Sequence, residues 1–417
     1  MTGWRWAVPV VTLALATAGC ATAPYGMTAG DADLMTNIQA HSVITRPLDA
    51  PTSTALADFA IKLAQQVATS EDNMLVSPLS AELALAMAAN GASGQTLAQM
   101  EQVLASGLPI ADLNAMLSAY VKSLPTSSTA AFHLAEAIWC RDAPGVDILP
   151  AFLQTNADYY GAGVHRAPFG DATVQDVNDW VTTNTDGMIP EILRTIEPAT
   201  VLLLLSALAF DARWATPYAD YQLHDDTFTA ASGRTQTASF MGSEEFAYLD
   251  DGLATGFTKP YDGDAYRFVA LLPNEGVTVA DYLASLTGTG WLKTLSAARQ
   301  EPVVAYLPQF SFGASMALNG ALATLGMPDA FGSGRADFSR MGTANGQPLF
   351  VSLVKQNTFI DVTPLGTRAG AATVVAAEAG GAPPSRTVTL DRPFVFAIVD
   401  SATNLPLFLG VVNSVTG

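Results

Sequence analysis

Lysine is nearly missing from this chain: five residues in 417, at positions 62, 122, 259, 293 and 355. With arginine the count reaches 19, against 38 acidic residues, for a formal net charge of −19. No stretch gathers these cations into a stripe, so no nucleic-acid partner is expected, because phosphate recognition needs clustered Lys and Arg. Charged residues make up only 14% of the chain and apolar ones 49%, which is enough for a large core. The excess of acid reads first as the solubility of an extracytoplasmic surface. Cysteine is also scarce. Cys20 and Cys140 are the two copies, and Cys20 lies in a targeting segment, so an internal disulfide is excluded if it is modified. The four histidines, at 41, 133, 165 and 224, are scattered and pair with no Cys or carboxylate at ligand spacing. No metal site and no cofactor is expected. G-x-S-x-G, H-E-x-x-H and phosphate-binding glycine motifs are absent. No internal repeat or long low-complexity tract divides the chain.

The N-terminus carries an address. Arg5 and the apolar run 8–16 precede Thr17-Ala18-Gly19-Cys20. This resembles a bacterial lipobox, in which the chain is cut before a Cys that is then acylated. Ala21-Thr22-Ala23 is the alternative, an ordinary signal-peptidase site. The run is short of the roughly 20 apolar residues of a durable span. The expectation is a lipoprotein signal peptide over 1–19, a flexible tether over 20–50 rich in Ala, Thr, Asp and Gly, and one folded domain over 51–417. The protein would be extracytoplasmic and held to a bacterial membrane through lipidated Cys20. Cys140 follows a strand-like run and reads as a small buried hydrophobe.

Helical signals concentrate before residue 200. Ser80 reads as an N-cap for the apolar run 83–89, with Asn90-Gly91 as its stop. Residues 96–104 read as a second helix, and 176–184, with Val177, Trp180 and Val181 on one face, as a third. Strand signals dominate later, at 201–210, 267–272, 303–307, 350–362 and 395–399. This partial segregation implies an α+β fold.

Between two of those strand runs lies 363–387, TPLGTRAGAATVVAAEAGGAPPSRT. It contains almost nothing large enough to anchor a core, and it exceeds the roughly 12–15 residues beyond which structureless loops become uncommon. Its Ala, Gly, Thr and Val could stay exposed or slip between two existing strands without a clash.

The segment and its surroundings resemble the serpins, the serine-protease inhibitors that trap their targets by inserting a loop into a sheet. The family hinge matches Pro364, Leu365, Gly366, Thr367, Arg368, Ala369, Gly370, Ala371, Ala372 and Thr373. The signature that follows the loop matches VTLDRPFVFAI at 388–398, and NMLVSPLS at 73–80 matches the family's Asn-x-x-x-Ser-Pro-x-Ser. Further matches fall in family order: Gly91 to Thr96; Asn178, Trp180, Thr185 and Gly187; the run ending at Trp214; Pro260-Tyr261; LPQF at Leu307; LGMPDAF at Leu325; and FLGVVN at Phe408. Together they span nearly all of 55–413. The resemblance implies one α+β domain with three β-sheets, about eight or nine helices and an exposed reactive-centre loop.

It also implies a mechanism. A target serine protease attacks one peptide bond of the loop and forms a covalent acyl-enzyme complex, and the cut loop then enters the central sheet before deacylation. An inserted strand would bury alternate residues, here Thr367, Ala369, Ala371, Thr373, Val375 and Ala377. Arg368 and Glu378 fall on the other face. Counting from the hinge places the reactive bond at Gly380-Gly381; counting back from Pro393-Phe394 places it near Ala382. Small residues at the bond suit elastase-like or subtilisin-like targets. Ser77, Ser80, Ser206, Gln356 and Trp214 match the region where the sheet opens. The chain is expected to be a monomer and not an enzyme.

Three departures stand out. The family's Glu pair before the hinge is Pro364-Leu365 here, its hinge Glu is Arg368, and its Asn and His beneath the opening sheet are Ser206 and Gln356, for which a neutral Ser–Gln contact is expected. Two rival readings remain open: a serpin-fold protein that does not inhibit, and a serine hydrolase built on Ser352-Leu-Val-Lys355, which matches S-x-x-K. In that chemistry Ser and Lys share a helical turn, whereas this run alternates like a strand.

Overall fold

Two of the runs read as strands, 201–210 and 350–362, become neighbours. In the computed structural model, which describes residues 32–125, 130–367 and 386–416, Leu202–Arg213 and Leu353–Thr363 lie parallel in a seven-stranded sheet. From one edge its strands run Ala32–Asp33, Gly163–Ala167, Ala130–Arg141, Leu202–Arg213, the two-residue strand Gly366–Thr367, Leu353–Thr363 and Phe310–Ala317. A six-stranded antiparallel sheet contains Phe394–Asp400 and Pro406–Val412, whose residues are all buried. Burial on both faces explains why these strands read as unbroken apolar runs rather than as alternation. A four-stranded sheet begins with Arg386–Thr389, parallel to Val303–Pro308. A small three-stranded sheet of short segments around Gly342–Ala344 joins the three larger ones. Nine α-helices occur among the described residues.

Helix α2, Pro78–Ala89, runs beneath the large sheet with all its residues buried. It begins earlier than the sequence suggests. Ser77, not Ser80, is the N-cap, with its hydroxyl accepting from Ser80 N, and Pro78 takes the first helical position, where its missing N–H does no harm. The helices read at 96–104 and 176–184 extend to Gly94–Ala105 and Asp171–Asn184. The latter, α6, packs on the opposite face of the sheet. There Val177, Trp180 and Val181 meet Trp139, Leu203 and Leu205 in a separate apolar cluster.

The described part of the segment read as a tether is not free chain. Ala32–Asp33 pairs antiparallel with the sheet edge at His165 and Arg166. His41 N donates to Asp158 Oδ1 (2.7 Å), and Arg46 reaches Asp112 at 2.8 Å. An open edge strand offers unpaired backbone groups, and this segment takes them up. Helix α1, Ala50–Val67, follows directly, capped by Asp49. Cys140 is buried, donates to His165 O, and its thiol is pushed up to about 11 by burial, as suits a small core residue. Cys20 lies outside the described residues.

Candidate functional site

The site is a seam in the large sheet. Strands Leu202–Arg213 and Leu353–Thr363 pair in parallel from Leu203 and Leu353 up to Ala207 and Asn357. The next contacts across the seam lie five positions higher and come from the chain's own hinge. Gly366 pairs with Arg213 on one side and Thr363 on the other; Thr367 pairs with Ala212 and Val362. The hinge thus enters the sheet antiparallel to both neighbours. Pro364 and Leu365 form the two-residue turn before it, and Thr363 Oγ1 donates to Gly366 O at 3.0 Å. Pro364 stands where a turn tolerates a residue with no N–H. Its carbonyl accepts from Tyr218 N, and that of Leu365 accepts from Trp214 N. Gly366 is required by close approach: a Cβ there would lie 2.0 Å from Ala212 O.

Thr367 is only 2% exposed, and its hydroxyl meets Tyr261 Oη at 2.5 Å. Around it stands an aromatic platform. Trp214 stacks on Tyr261 with centroids 4.5 Å apart, and its Nε1 donates to Thr363 O at 2.9 Å. Beneath, Lys259 Nζ meets Glu245 Oε1 at 2.7 Å and sits over the Tyr218 ring. Burial works against the Lys259 charge, but Tyr218 and Glu245 outweigh it and hold the ammonium above its usual range. A buried pair of this kind adds little net stability, because desolvating both charges offsets their attraction.

Lower on the seam, a polar row crosses three strands. Glu136, Ser206 and Gln356 are register partners, all pointing at the first turn of α2. Gln356 is fully buried and grips the Ser77 backbone twice: Ser77 N donates to its Oε1 and its Nε2 donates to Ser77 O, both at 2.9 Å. Ser206 does not reach across to Gln356. Its hydroxyl bonds to that of Ser80, and Glu136 Oε1 lies within hydrogen-bond reach of both hydroxyls. The expected Ser–Gln contact is therefore replaced by two separate anchors onto α2. Glu136 was not anticipated. Its Oε2 is sealed from solvent without a partner, and burial holds its carboxyl well above the usual range, with Ser80 and Ser206 pulling the other way. The signal was there: in AFHLAEAIWC, Glu136 occupies the face shared by Phe132, Leu134, Ile138 and Cys140.

Arg368, Ala369, Gly370, Ala371, Ala372, Thr373, Gly380 and Gly381 lie outside the described residues. Where the described residues resume, Arg386 is already in a strand, paired with Glu301 at 2.7 Å and lying over the Tyr248 ring. The S-x-x-K residues do not form a catalytic pair: Ser352 Oγ accepts from Val201 N, and Lys355 lies on the outward face of the following strand.

The seam of the large sheet thus receives the chain's own hinge. The family description Serpin (serine protease inhibitor) matches residues 54–415. The chain belongs to the serpin family, a family of protease inhibitors some of whose members do not inhibit. Leukocyte elastase inhibitor A of Mus musculus is 30% identical over 381 residues, covering 87% of this chain and 99% of that one. An uncharacterized serpin-like protein of Thermococcus kodakarensis is 29% identical over 384 residues, covering 89% and 87%. The thermophilic serpin tengpin in its native state matches with a TM-score of 0.90 at 43% identity, over 93% of this chain and 100% of that one. Tengpin in its latent state gives 0.79 at 39% identity, over 89% and 100%. The described residues thus agree better with the native form of that relative.

Proposed function

We propose that this chain is an irreversible suicide-substrate inhibitor of serine proteases, with 368–385 as the bait. The observation that carries this reading is the seat of Gly366 and Thr367, bonded between two strands that are otherwise paired only lower down. The seam is already started at its top. Carried on in the same register, the loop would set Thr373 between Ser206 and Gln356. Its even-handed alternation would turn Ala369, Ala371, Thr373, Val375 and Ala377 toward the face where Phe210, Leu208, Leu204, Ile360 and Val354 are buried. Each is small enough to enter. Arg368 would fall on the outer face between Asp211 and Asp361, so the residue that departs from the family would meet two carboxylates.

After attack by the protease Ser, the acyl-enzyme would be carried along as the strand forms. Hydrogen bonds on both sides of the new strand supply the driving force. Small residues at Gly380-Gly381 favour elastase-like or subtilisin-like enzymes, and the similarity to a leukocyte elastase inhibitor supports that class. We also place the protein outside the cytoplasm as a monomer, anchored to a bacterial membrane through acylated Cys20.

The test is incubation with elastase, subtilisin and trypsin, followed by denaturing gels and mass spectrometry. Gel-stable complexes with the first two and a cut at Gly380-Gly381 support the reading. Cleavage without any complex contradicts it and leaves a non-inhibitory substrate of the same fold.

A further inference from the structure

Beside the lower end of the seam, two cations share a groove of about 470 Å3. One wall is the loop after α6, which carries Arg194. The other is the outward face of Leu353–Thr363 and Phe310–Ala317, which carries Lys355, Asn357 and Ser315. The walls are held in place by backbone contacts. Asn178 Oδ1 accepts from Ile192 N and Leu193 N, and Asn357 Nδ2 donates to Glu191 O at 2.6 Å. The backbone segments that carry the two cations are therefore held together.

The groove is electrostatically unfinished. Burial holds the Lys355 ammonium below its usual range, and the Arg194 charge pushes in the same direction. No carboxylate offsets either effect at Lys355 among the described residues. Glu191, which also lines the groove, engages Arg194 at Nε, 2.9 Å away. A chain with a net charge of −19 repels anions in bulk, so two converging cations here are a local feature rather than a consequence of composition. An oxyanion that accepts from both would relieve their repulsion through charge-assisted hydrogen bonds, with Asn357 and Ser315 at hand as further polar groups. A neutral ligand would gain nothing from the cations.

We infer that Lys355 and Arg194 hold a small oxyanion, a phosphate or a dicarboxylate, which ties the loop after α6 to the seam strand and restrains insertion. The restraint rests on the proposed insertion mechanism; the binding does not. For a strand to enter, residues 353–357 must part from 203–207 directly beneath this loop. An anion bound only to the closed form lowers the open fraction in proportion to its saturation, so ten times the dissociation constant slows insertion about tenfold.

The experiment is calorimetric titration of the intact protein with inorganic phosphate and, separately, with malonate, each in chloride buffer of matched ionic strength. One saturable site is expected, and the tighter arm identifies the oxyanion class. Lys355→Met and Arg194→Gln should each abolish it, and Lys355→Arg should retain it. No saturable heat in either arm, or binding unchanged in Lys355→Met, overturns the site. The second readout is the rate of gel-stable complex formation with elastase, expected to fall about tenfold at that saturation in the wild type and not in Lys355→Met. Binding with no change in that rate overturns the restraint. If no complex forms under any condition, the inhibitory reading fails while the titration still decides the site.

Discussion

Thr367 is the residue on which inhibition and mere cleavage separate. It is buried between Ala212 and Val362, with its hydroxyl on Tyr261. Thr367→Arg would force an unpaired charge into that space, at a cost of about 3–5 kcal/mol. The expected outcome is slower insertion, so that elastase cleaves the loop and departs; a variant that still forms complexes at wild-type efficiency would sink the assignment. Glu136 carries a different prediction. Its folded pKa is raised by burial, so its contribution to stability is whole below the usual carboxyl value near 4.5 and is lost as pH rises toward the folded value. Glu136→Gln keeps an acceptor for Ser80 and Ser206 without a proton to lose. Its melting curve should match wild type near pH 4 and exceed it by about 1–3 kcal/mol of stability at pH 8. Parallel pH profiles for the two proteins would refute this. Glu82, buried on α2 with its carboxyl also raised by burial, adds a slope of the same sign to both proteins, so the comparison isolates Glu136.

At the scale of elements, the hinge strand and its two neighbours form one unit. The register puts Arg368 opposite Asp211 and Asp361 on insertion. Arg368→Glu would then line up three carboxylates, each like-charge pair opposing the strand by about 0.2–1 kcal/mol. A several-fold larger fraction of loop cut without trapping is expected, and the effect should shrink at high salt. Equal trapping at low and high salt would contradict that register. The long strands were legible because burial on both faces leaves an unbroken apolar run, as at 201–210 and 395–399. The hinge was legible because its small residues are unusual between two such runs. Other elements were hidden. The docking of Ala32–Asp33 depends on an edge exposed by residues more than a hundred positions away. Helices Val279–Ser285 and Gly288–Ser296 are too short for periodicity to declare, although Thr278 and Thr287 cap them as any N-cap would. Glu136 was hidden differently: its strand pattern was plain, but the meaning of one carboxyl on an apolar face required knowing that α2 lies beneath.

At the scale of the whole molecule, the fold was legible from motif order, because no single motif is specific while their sequence along 55–413 is. Anchoring is a separate question for the same chain. Cys20→Ser should release the protein from membranes or stall its processing; an unmodified mature N-terminus downstream of Cys20 would remove the lipid from the account. The central claim is that the intact protein lacks a strand that its own loop can supply. The most direct measurement is thermal unfolding before and after limited cleavage within 368–385. The account predicts that the cleaved protein melts well above the intact one, because the loop then completes the sheet down to Ser206 and Gln356. A cleaved protein that melts no higher than the intact chain would mean that the loop does not insert.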